Sequence, residues 1–437
     1  MASKHVLIIG GGFAGLGCAR DLAHQADVRI TLIDRNNYHQ FQPMLYQVAT
    51  SQVAPDDVAF ALRKLFIKTP NVDVKLAEVA SIDPAAQTVT TKTGEIYRGD
   101  YLVLAAGSQP NFFKTPGAAE HAFPLYSLRD AERMRSRILQ VFEDADRDPK
   151  LIEQGALNFV IVGAGPTGVE TAGALADLIR DTMPTEYHDL ATNVAKIFVV
   201  DHAKVILGAF SAKAHDYAAK VLQDLGVQLL LGNSVKEIGP GHVTLGDNTR
   251  IKTRLVVWAG GLKAAPLAAS AGLPQGHGGR IDVLPDFTVT GFPAIYVLGD
   301  IANATSPTGA AYPQLASVAL QAGQWAAKNI LADIAGKPRL PFEYLDKGIM
   351  AMIHRHAAVA ELGAARHELH GVLAHAAWLG VHTYLMTGVR NRISAFVSWA
   401  CEFFSTKRGP QVLDRSNAAR INWAEDADGG PEQKSDR

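Results

Sequence analysis

Two glycine-rich turns, each followed by an acid at a strand end, are the chemistry-bearing features of this 437-residue chain. The first is Gly10, Gly12 and Gly15 with Asp34 beyond it, and the second is Gly163, Gly165 and Gly168 with Asp201 beyond it. This spacing suits a pyrophosphate. The first glycine makes the tight turn, the second lets the backbone approach the phosphates, and the third lets helix and strand pack closely. Free N–H groups at the helix N-terminus then face the negative charge. A carboxylate at the end of the next strand binds a ribose 2′-hydroxyl and disfavours a 2′-phosphate. Asp201 therefore favours NADH over NADPH, with Lys204 close enough in sequence to soften the preference.

Two dinucleotide sites in one chain suggest one tightly held flavin dinucleotide and one exchanging nicotinamide dinucleotide. The elements that must position them follow from the hydrophobic pattern. Residues 6–9 read as a strand, 16–23 as a helix and 29–33 as a second strand ending at Asp34. The pattern returns with a strand over 159–162, a helix over 169–179 and a strand over 196–200 ending at Asp201. A stretch beginning at Asp181 reads as an insertion and explains the longer distance to the second acid. Buried strands also run into tight turns at 101–107 and 255–261, and a strand over 294–300 ends in Gly299-Asp300. Asp300 is expected beside the ribityl chain of the flavin.

Composition removes several classes. The chain is 48% apolar and 19% charged, enough for a large core. Its 42 basic and 43 acidic side chains give no nucleic-acid footprint. Glycine, at 39 residues, exceeds the ordinary share and points to close backbone approaches. Only Cys18 and Cys401 occur, which rules out a disulfide scaffold, a four-cysteine cluster and a CxxC dithiol; both read as structural. No metal site is expected. No conventional apolar span is present. Residues 370–389 pass without Asp, Glu, Lys or Arg, contain Trp378 and Tyr384 as interfacial anchors, and precede Arg390, Arg392, Lys407 and Arg408. That pattern fits an interfacial surface better than a span, with a buried helix or dimer contact as the alternative. The polar tail over 426–437 is expected to be disordered.

Beyond the glycine turns, the chain resembles the type II NADH:quinone oxidoreductases, single-subunit flavoprotein NADH dehydrogenases, from about residue 5 to residue 413. The resemblance rests on HQFQPMLYQVAT from His39 to Thr50, GAGPTGVE from Gly163 to Glu170, Leu298-Gly299-Asp300, DKGIMA from Asp346 to Ala351, AAVA from Ala357 to Ala360, and His382 through Trp399. It implies an α/β fold of the two-dinucleotide-binding, disulfide reductase-like type, with two Rossmann-like domains and a C-terminal membrane-associating domain. The implied partition is an FAD domain over 1–117 and 281–345, an NADH domain over 118–280 and a quinone- and membrane-facing domain over 346–425. Non-covalent FAD would be bound by Gly10, Gly12, Gly15, Asp34, Arg35, Thr50, Ala106, Gly107 and Asp300. NADH would be surrounded by Gly163, Gly165, Gly168, Glu170, Asp201 and Gly260, with Glu170 orienting the nicotinamide.

Electrons would pass from NADH through FAD to a membrane quinone without proton pumping. Glu170, Gln321 and Lys347 are the implied catalytic set, Lys347 as a cation near flavin and quinone and Gln321 as a hydrogen-bond donor. The implied location is peripheral, on the cytoplasmic face of the bacterial inner membrane, and a homodimer is compatible with it.

The chain departs from the family twice, both times near the expected quinone pocket. In Ala316-Ser317-Val318-Ala319-Leu320-Gln321, Ser317 stands where the family has glutamine, with Gln314 three residues earlier. In Ala351-Met352-Ile353-His354-Arg355, His354 stands where glycine is usual and is a candidate proton relay, because imidazole titrates near neutrality. Sulfide:quinone and disulfide reductases share the architecture but need cysteine pairs at the flavin. Two alternatives stay open: a flavoprotein with a soluble or protein acceptor, and an NADH-responsive flavoprotein whose assembly changes on binding.

Overall fold

The computed structural model describes residues 3–405, 408–409 and 411–414. The expected tail over 426–437, the end of the expected third domain and Lys407 lie outside the described residues. The chain forms two compact units. The first holds the N-terminus to Gln40, Ala59–Asn111 and Leu262–Asp346; the second holds Phe41–Val58, Phe112–Gly261 and the chain from Lys347. Compactness thus groups residues differently from the expected three-part division. The C-terminal segment and Phe41–Val58 count with the second dinucleotide domain, while 262–280 count with the first.

The first unit is built on a six-stranded sheet in the order Thr288–Val289, Phe292–Val297, Tyr101–Leu104, Lys4–Ile9, Val28–Asp34, Val72–Leu76. All pairs but the first are parallel. Parallel strands covered on both faces read as continuous apolar runs, and Val6, Leu7 and Ile8 are wholly buried. Helix Phe13–Leu22 crosses between the first two strands and packs on helix Ala316–Ile334. The approach is very close: a Cβ at Gly323 would fall on Ala14 O, and one at Gly17 would lie 2.8 Å from Leu320 O. Part of the glycine excess is spent here, on helix–helix contact.

The second unit repeats the plan with five parallel strands in the order Phe123–Pro124, Leu255–Trp258, Asn158–Val162, Lys196–Asp201, Val227–Leu231. Helix Pro166–Asp177 begins with proline in its first turn, where a missing N–H costs nothing. The expected insertion is a π-helical turn at Leu178–Thr182, a short helix Met183–Glu186 and a 3₁₀ turn Thr192–Val194. After Lys347 comes a three-stranded antiparallel sheet, Gly348–His354, Ala357–Leu362 and His367–His370, then helices Gly371–Leu385 and Val389–Phe404.

The last helix is two-faced. Asn391, Ala395, Trp399 and Glu402 are buried, while Val389, Ile393, Phe396, Val397 and Phe404 are exposed. Among the described residues no helix is long and apolar enough to cross a membrane.

Candidate functional site

The two glycine turns are built alike to the level of single hydrogen bonds. Gly10 and Gly163 have φ of +107° and +106°, a region that glycine alone enters freely. A Cβ on Gly10 would strike Ala105 O, and one on Gly163 would strike Ala259 O. Gly10 N donates to Ile33 O at 2.8 Å, and Gly163 N to Val200 O at 2.9 Å. Cβ atoms on Gly15 and Gly168 would fall on Gly10 O and Gly163 O respectively, so the third glycine is fixed by its own turn.

Gly12 and Gly165 differ from their neighbours. Each is the N-cap of its helix with an extended backbone any residue adopts, and each has no atom within 4 Å of a built Cβ. Glycine is not required there by the protein's own packing. A side chain would instead occupy the space in front of the helix N-terminus, where a pyrophosphate would sit.

The strand-end acids are equally matched. Asp34 Oδ2 accepts from Gly11 N at 2.6 Å, and Oδ1 from Asn36 N at 2.6 Å. Asp201 Oδ2 accepts from Ala164 N at 2.6 Å, and Oδ1 from Ala203 N at 2.8 Å. Burial pushes the Asp34 carboxyl up, against the pull of the Gly11 and Asn36 N–H groups and nearby Arg35. Arg35 itself is exposed. His39 is 3% exposed, and its Nδ1 donates to Gly11 O at 2.9 Å. Burial lowers its pKa to about 4, so it props the turn as a neutral ring. Sequence reasoning took His39 only as part of a motif; its spacing from Gly11 carries no local signal.

Ala106 and Gly107 follow the strand Tyr101–Leu104, with Gly107 at φ +71° and its carbonyl accepting from Ala265 N. Asp300 sits in the 3₁₀ turn Gly299–Ile301, where its Oδ2 accepts from Ser108 Oγ at 2.8 Å. Burial raises this carboxyl, against the Ser108 hydrogen bond and Arg280. The residues present in the first unit could hold a diphosphate, a ribose and a polyol chain, and so fit FAD. In the second unit Gly260 faces the Trp258 ring, 3.2 Å from its own built Cβ.

The remaining expected residues separate by unit. In the first, Gln321 brackets the Leu345 backbone, donating from Nε2 to Leu345 O at 3.1 Å and accepting at Oε1 from Leu345 N at 3.0 Å. Ser317 Oγ lies 2.9 Å from the Tyr344 hydroxyl, and Gln314 is exposed. Ser317 and Gln321 thus both hold the 344–345 segment.

In the second, Lys347 is exposed and its carbonyl accepts from Gly363 N. Thr50 is wholly buried, and its hydroxyl donates back to Tyr46 O at 2.9 Å. Glu170 Oε1 accepts from Met352 N at 3.1 Å, and burial raises its pKa to about 8. Its carboxyl, with Tyr46, Gln52, His354, His375 and Glu402, lines a cavity of this unit.

His354 does not titrate near neutrality as expected. Burial first, then His356 and Arg355, lower its pKa to about 4, so it stays neutral 3.7 Å from Asp177. Two interfacial expectations also change. Trp378 is fully buried, its ring stacked 3.8 Å from His382. Arg408 is buried too, paired with Glu402 at 3.0 Å. Tyr384 is 77% exposed.

Both cysteines are free. Cys18 is fully buried, and burial raises its thiol far above the ordinary range; Cys401 is exposed. Among the described residues no cluster of His, Cys, Asp and Glu could hold a metal ion.

Residues 4–323 match the pyridine nucleotide-disulphide oxidoreductase family. The chain is 37% identical over 429 residues to a type II NADH:quinone oxidoreductase of Mycobacterium tuberculosis, covering 94% of this chain and 91% of that protein. It is 30% identical over 366 residues to the type II NADH:quinone oxidoreductase of Staphylococcus aureus, covering 82% and 89%. Its fold superposes on NDH2 from Plasmodium falciparum, solved in complex with NADH, with a TM-score of 0.85 and 18% identity over 94% of this chain and 100% of that one. With its paired glycine turns, matched acids and unpaired cysteines, the chain belongs to the type II NADH:quinone oxidoreductases of the pyridine nucleotide-disulphide oxidoreductase family.

Proposed function

We propose that this chain passes two electrons from NADH through non-covalent FAD to a membrane quinone, without pumping protons. The observation that carries the reading is the duplicated turn, whose open N-caps at Gly12 and Gly165 each face a seat for a diphosphate. NADH gives up two electrons and one proton as a hydride equivalent, and the quinone takes two electrons and two protons, so the second proton comes from solvent. Bound FAD supplies the two-electron relay between them. The chain's own residues bind, orient and exclude water.

Gly12 and the first turn of helix Phe13–Leu22 receive the flavin diphosphate. Asp34 takes the ribose hydroxyl, and Asp300, fixed by Ser108, takes the ribityl chain. Ala106 and Gly107 line the flavin by family resemblance, with Arg35 beside Asp34. Gly165 and Asp201 hold NADH, with Gly163, Gly168 and Gly260 shaping that site. Glu170, raised to about 8 by burial, is a neutral carboxyl at pH 7 and orients the nicotinamide without placing a charge beside it. Family resemblance gives Lys347 and Gln321 roles in the acceptor half-reaction.

The acceptor reading is supported by the apolar face of the last helix. Ile393, Phe396, Val397 and Phe404 recur at helical spacing on its exposed side. We place this face on a lipid surface, on the cytoplasmic side of the bacterial inner membrane, with a homodimer compatible with that arrangement.

The test is NADH oxidation by the FAD-loaded protein with a short-chain quinone, a quinone in phospholipid vesicles, and a soluble iron–sulfur protein as competing acceptors. Faster reduction of the soluble protein than of either quinone would contradict the proposal.

A further inference from the structure

The loop that follows the second strand-end acid is tied down along its length. Asp201 O accepts from Asn233 N at 3.0 Å, and Ala203 O accepts from Gly232 N at 2.9 Å. Further on, Leu207 N donates at 2.8 Å to Ala164 O, a carbonyl of the glycine turn itself. Leu207 is wholly buried at φ +52°, a left-handed conformation uncommon outside glycine. Such a conformation persists only where the surroundings over-determine it. Between these ties the side chains of His202, Lys204 and Val205 are exposed.

His202 lies against the acid. Its Nδ1 is 3.1 Å from Asp201 Oδ1, with the imidazole 90% exposed and the carboxylate 14% exposed. Asp201 also takes Ala164 N on Oδ2 and Ala203 N on Oδ1. A carboxylate offers about four lone-pair positions, so these contacts leave room for one ribose hydroxyl. The first turn is flanked differently. Asp34 is followed by Arg35, whose guanidinium keeps its charge at every ordinary pH, whereas an imidazole changes charge near neutrality.

Asp201 and Lys204 are the charged groups that share the loop with His202; the bordering turn 163–168 and segment 232–234 bring none. With His202 neutral, the acid and the lysine balance, and a 2′-phosphate meets a carboxylate that has no proton to give it. With His202 protonated, the loop is net positive and both ring nitrogens are donors. An added cation beside the strand-end acid is what a 2′-phosphate needs.

We propose that His202 is a specificity-determining residue: when protonated it joins Lys204 in taking the 2′-phosphate of NADPH, so that the chain accepts NADPH as a second electron donor in acid. The inference rests on the NADH site proposed above at Gly165 and Asp201. NADPH gives up the same two electrons and one proton as NADH and leaves as NADP⁺, its phosphate unchanged.

The test uses the full-length FAD-loaded protein and the variants His202→Gln, His202→Arg and Lys204→Ala, which should fold because both positions are exposed. Dissociation constants of NAD⁺ and NADP⁺ are read by calorimetry at about pH 6 and about pH 8.5, on either side of imidazole titration. The ratio of kcat/KM for NADPH and NADH is read at the same two values. A phosphate monoester takes its own second proton near pH 6, so His202→Gln sets the response that the ligand alone produces. On acidification the parent should tighten NADP⁺ relative to NAD⁺ by roughly fivefold more than His202→Gln does, the scale of one exposed charge pair. His202→Arg should bind NADP⁺ at the higher pH at least as tightly as the parent does at the lower. Lys204→Ala should weaken NADP⁺ by roughly fivefold at both values and keep the pH response.

Equal pH responses in the parent and His202→Gln would overturn the proposal, and so would loss of the response in Lys204→Ala. Failure of the parent to bind NAD⁺ strikes the proposed function and this inference together, whereas NAD⁺ binding with a parent-like response in His202→Gln strikes only the inference.

Discussion

Helices Phe13–Leu22 and Pro166–Asp177 begin with the same glycine N-cap, proposed above to face a diphosphate, but rest on different supports. The first lies on helix Ala316–Ile334 through glycine-mediated contact and carries the wholly buried, unreactive Cys18. The second lies on strand Gly348–His354, an edge of the C-terminal sheet. There a Cβ on Gly173 would fall on Ile353 O, Glu170 takes the N–H of Met352, and Asp177 Oδ2 takes the N–H of Arg355 at 3.0 Å. Those carboxyls satisfy donors that an unpaired edge would otherwise leave bare. The comparison separates two tasks of one motif. The glycine turn with its strand-end acid is repeated almost unchanged. The helices differ in what they lean on: the first packs on another helix through glycines, and the second carries buried carboxyls, Glu170 and Asp177, that take N–H groups of the C-terminal sheet.

The largest expected effect comes from filling the two seats. Gly12→Val should fold, because nothing in the protein crowds that position, yet should lose FAD, measured as flavin absorbance retained through gel filtration. Gly165→Val should keep its flavin and raise the KM for NADH by roughly a hundredfold, since the side chain displaces phosphate contacts of about 2–3 kcal/mol. Loss of flavin from both variants, or from neither, would break the assignment of one dinucleotide to each turn.

Next is Asp201→Ala, which removes the ribose ligand while leaving the turn glycines. NADH binding should weaken by roughly tenfold, as for a charged hydrogen bond of about 1.5 kcal/mol, and preference over NADPH should narrow. Unchanged discrimination in steady-state kinetics would reject the ribose contact.

The supports differ in their response to pH. Glu170 is raised by burial from 4.5 to about 8, and Asp177 from 3.8 to about 6. A raised folded-state pKa means the folded protein holds protons that the unfolded chain has released. The contribution is therefore complete below pH about 4 and is lost as pH climbs towards 8. Glu170→Gln should flatten the upper part of that fall, a relative gain of at most a few kcal/mol near pH 8. Thermal melts of parent and variant from pH 5 to pH 9 read it, and parallel curves would show that Glu170 does not titrate with folding.

The smallest effect is at the surface. Phe396→Asp on the exposed face should lower partitioning into phospholipid vesicles by about tenfold, in keeping with loss of one buried aromatic anchor. Sedimentation with vesicles measures it, and unchanged partitioning would remove that face from the lipid contact.

Much of the site was legible because local chemistry wrote it into the sequence. A glycine that must take positive φ, such as Gly10 or Gly163, and an acid that ends a parallel strand leave marks at fixed spacing. The C-terminal sheet left no such spacing: its DKGIMA and AAVA segments are legible only through resemblance, and the contacts of its first strand with helix Pro166–Asp177 are made by residues distant in the chain, such as Glu170 with Met352. Trp378 looks like an interfacial anchor in a window without acids, and Arg408 like one of the basic residues flanking it, yet Trp378 is buried with its ring stacked on His382 and Arg408 is buried in a pair with Glu402. Likewise His354 reads as a near-neutral base until burial and its cationic neighbours are seen.

The division of labour between the two turns is tested most directly by stopped-flow measurement of Gly165→Val, reduced chemically and mixed with a short-chain quinone. The account predicts that its flavin is reoxidised at a saturating rate close to that of the parent, while reduction by NADH is slowed strongly. Slow, non-saturable reoxidation in both proteins, beside rapid transfer to another acceptor, would contradict it.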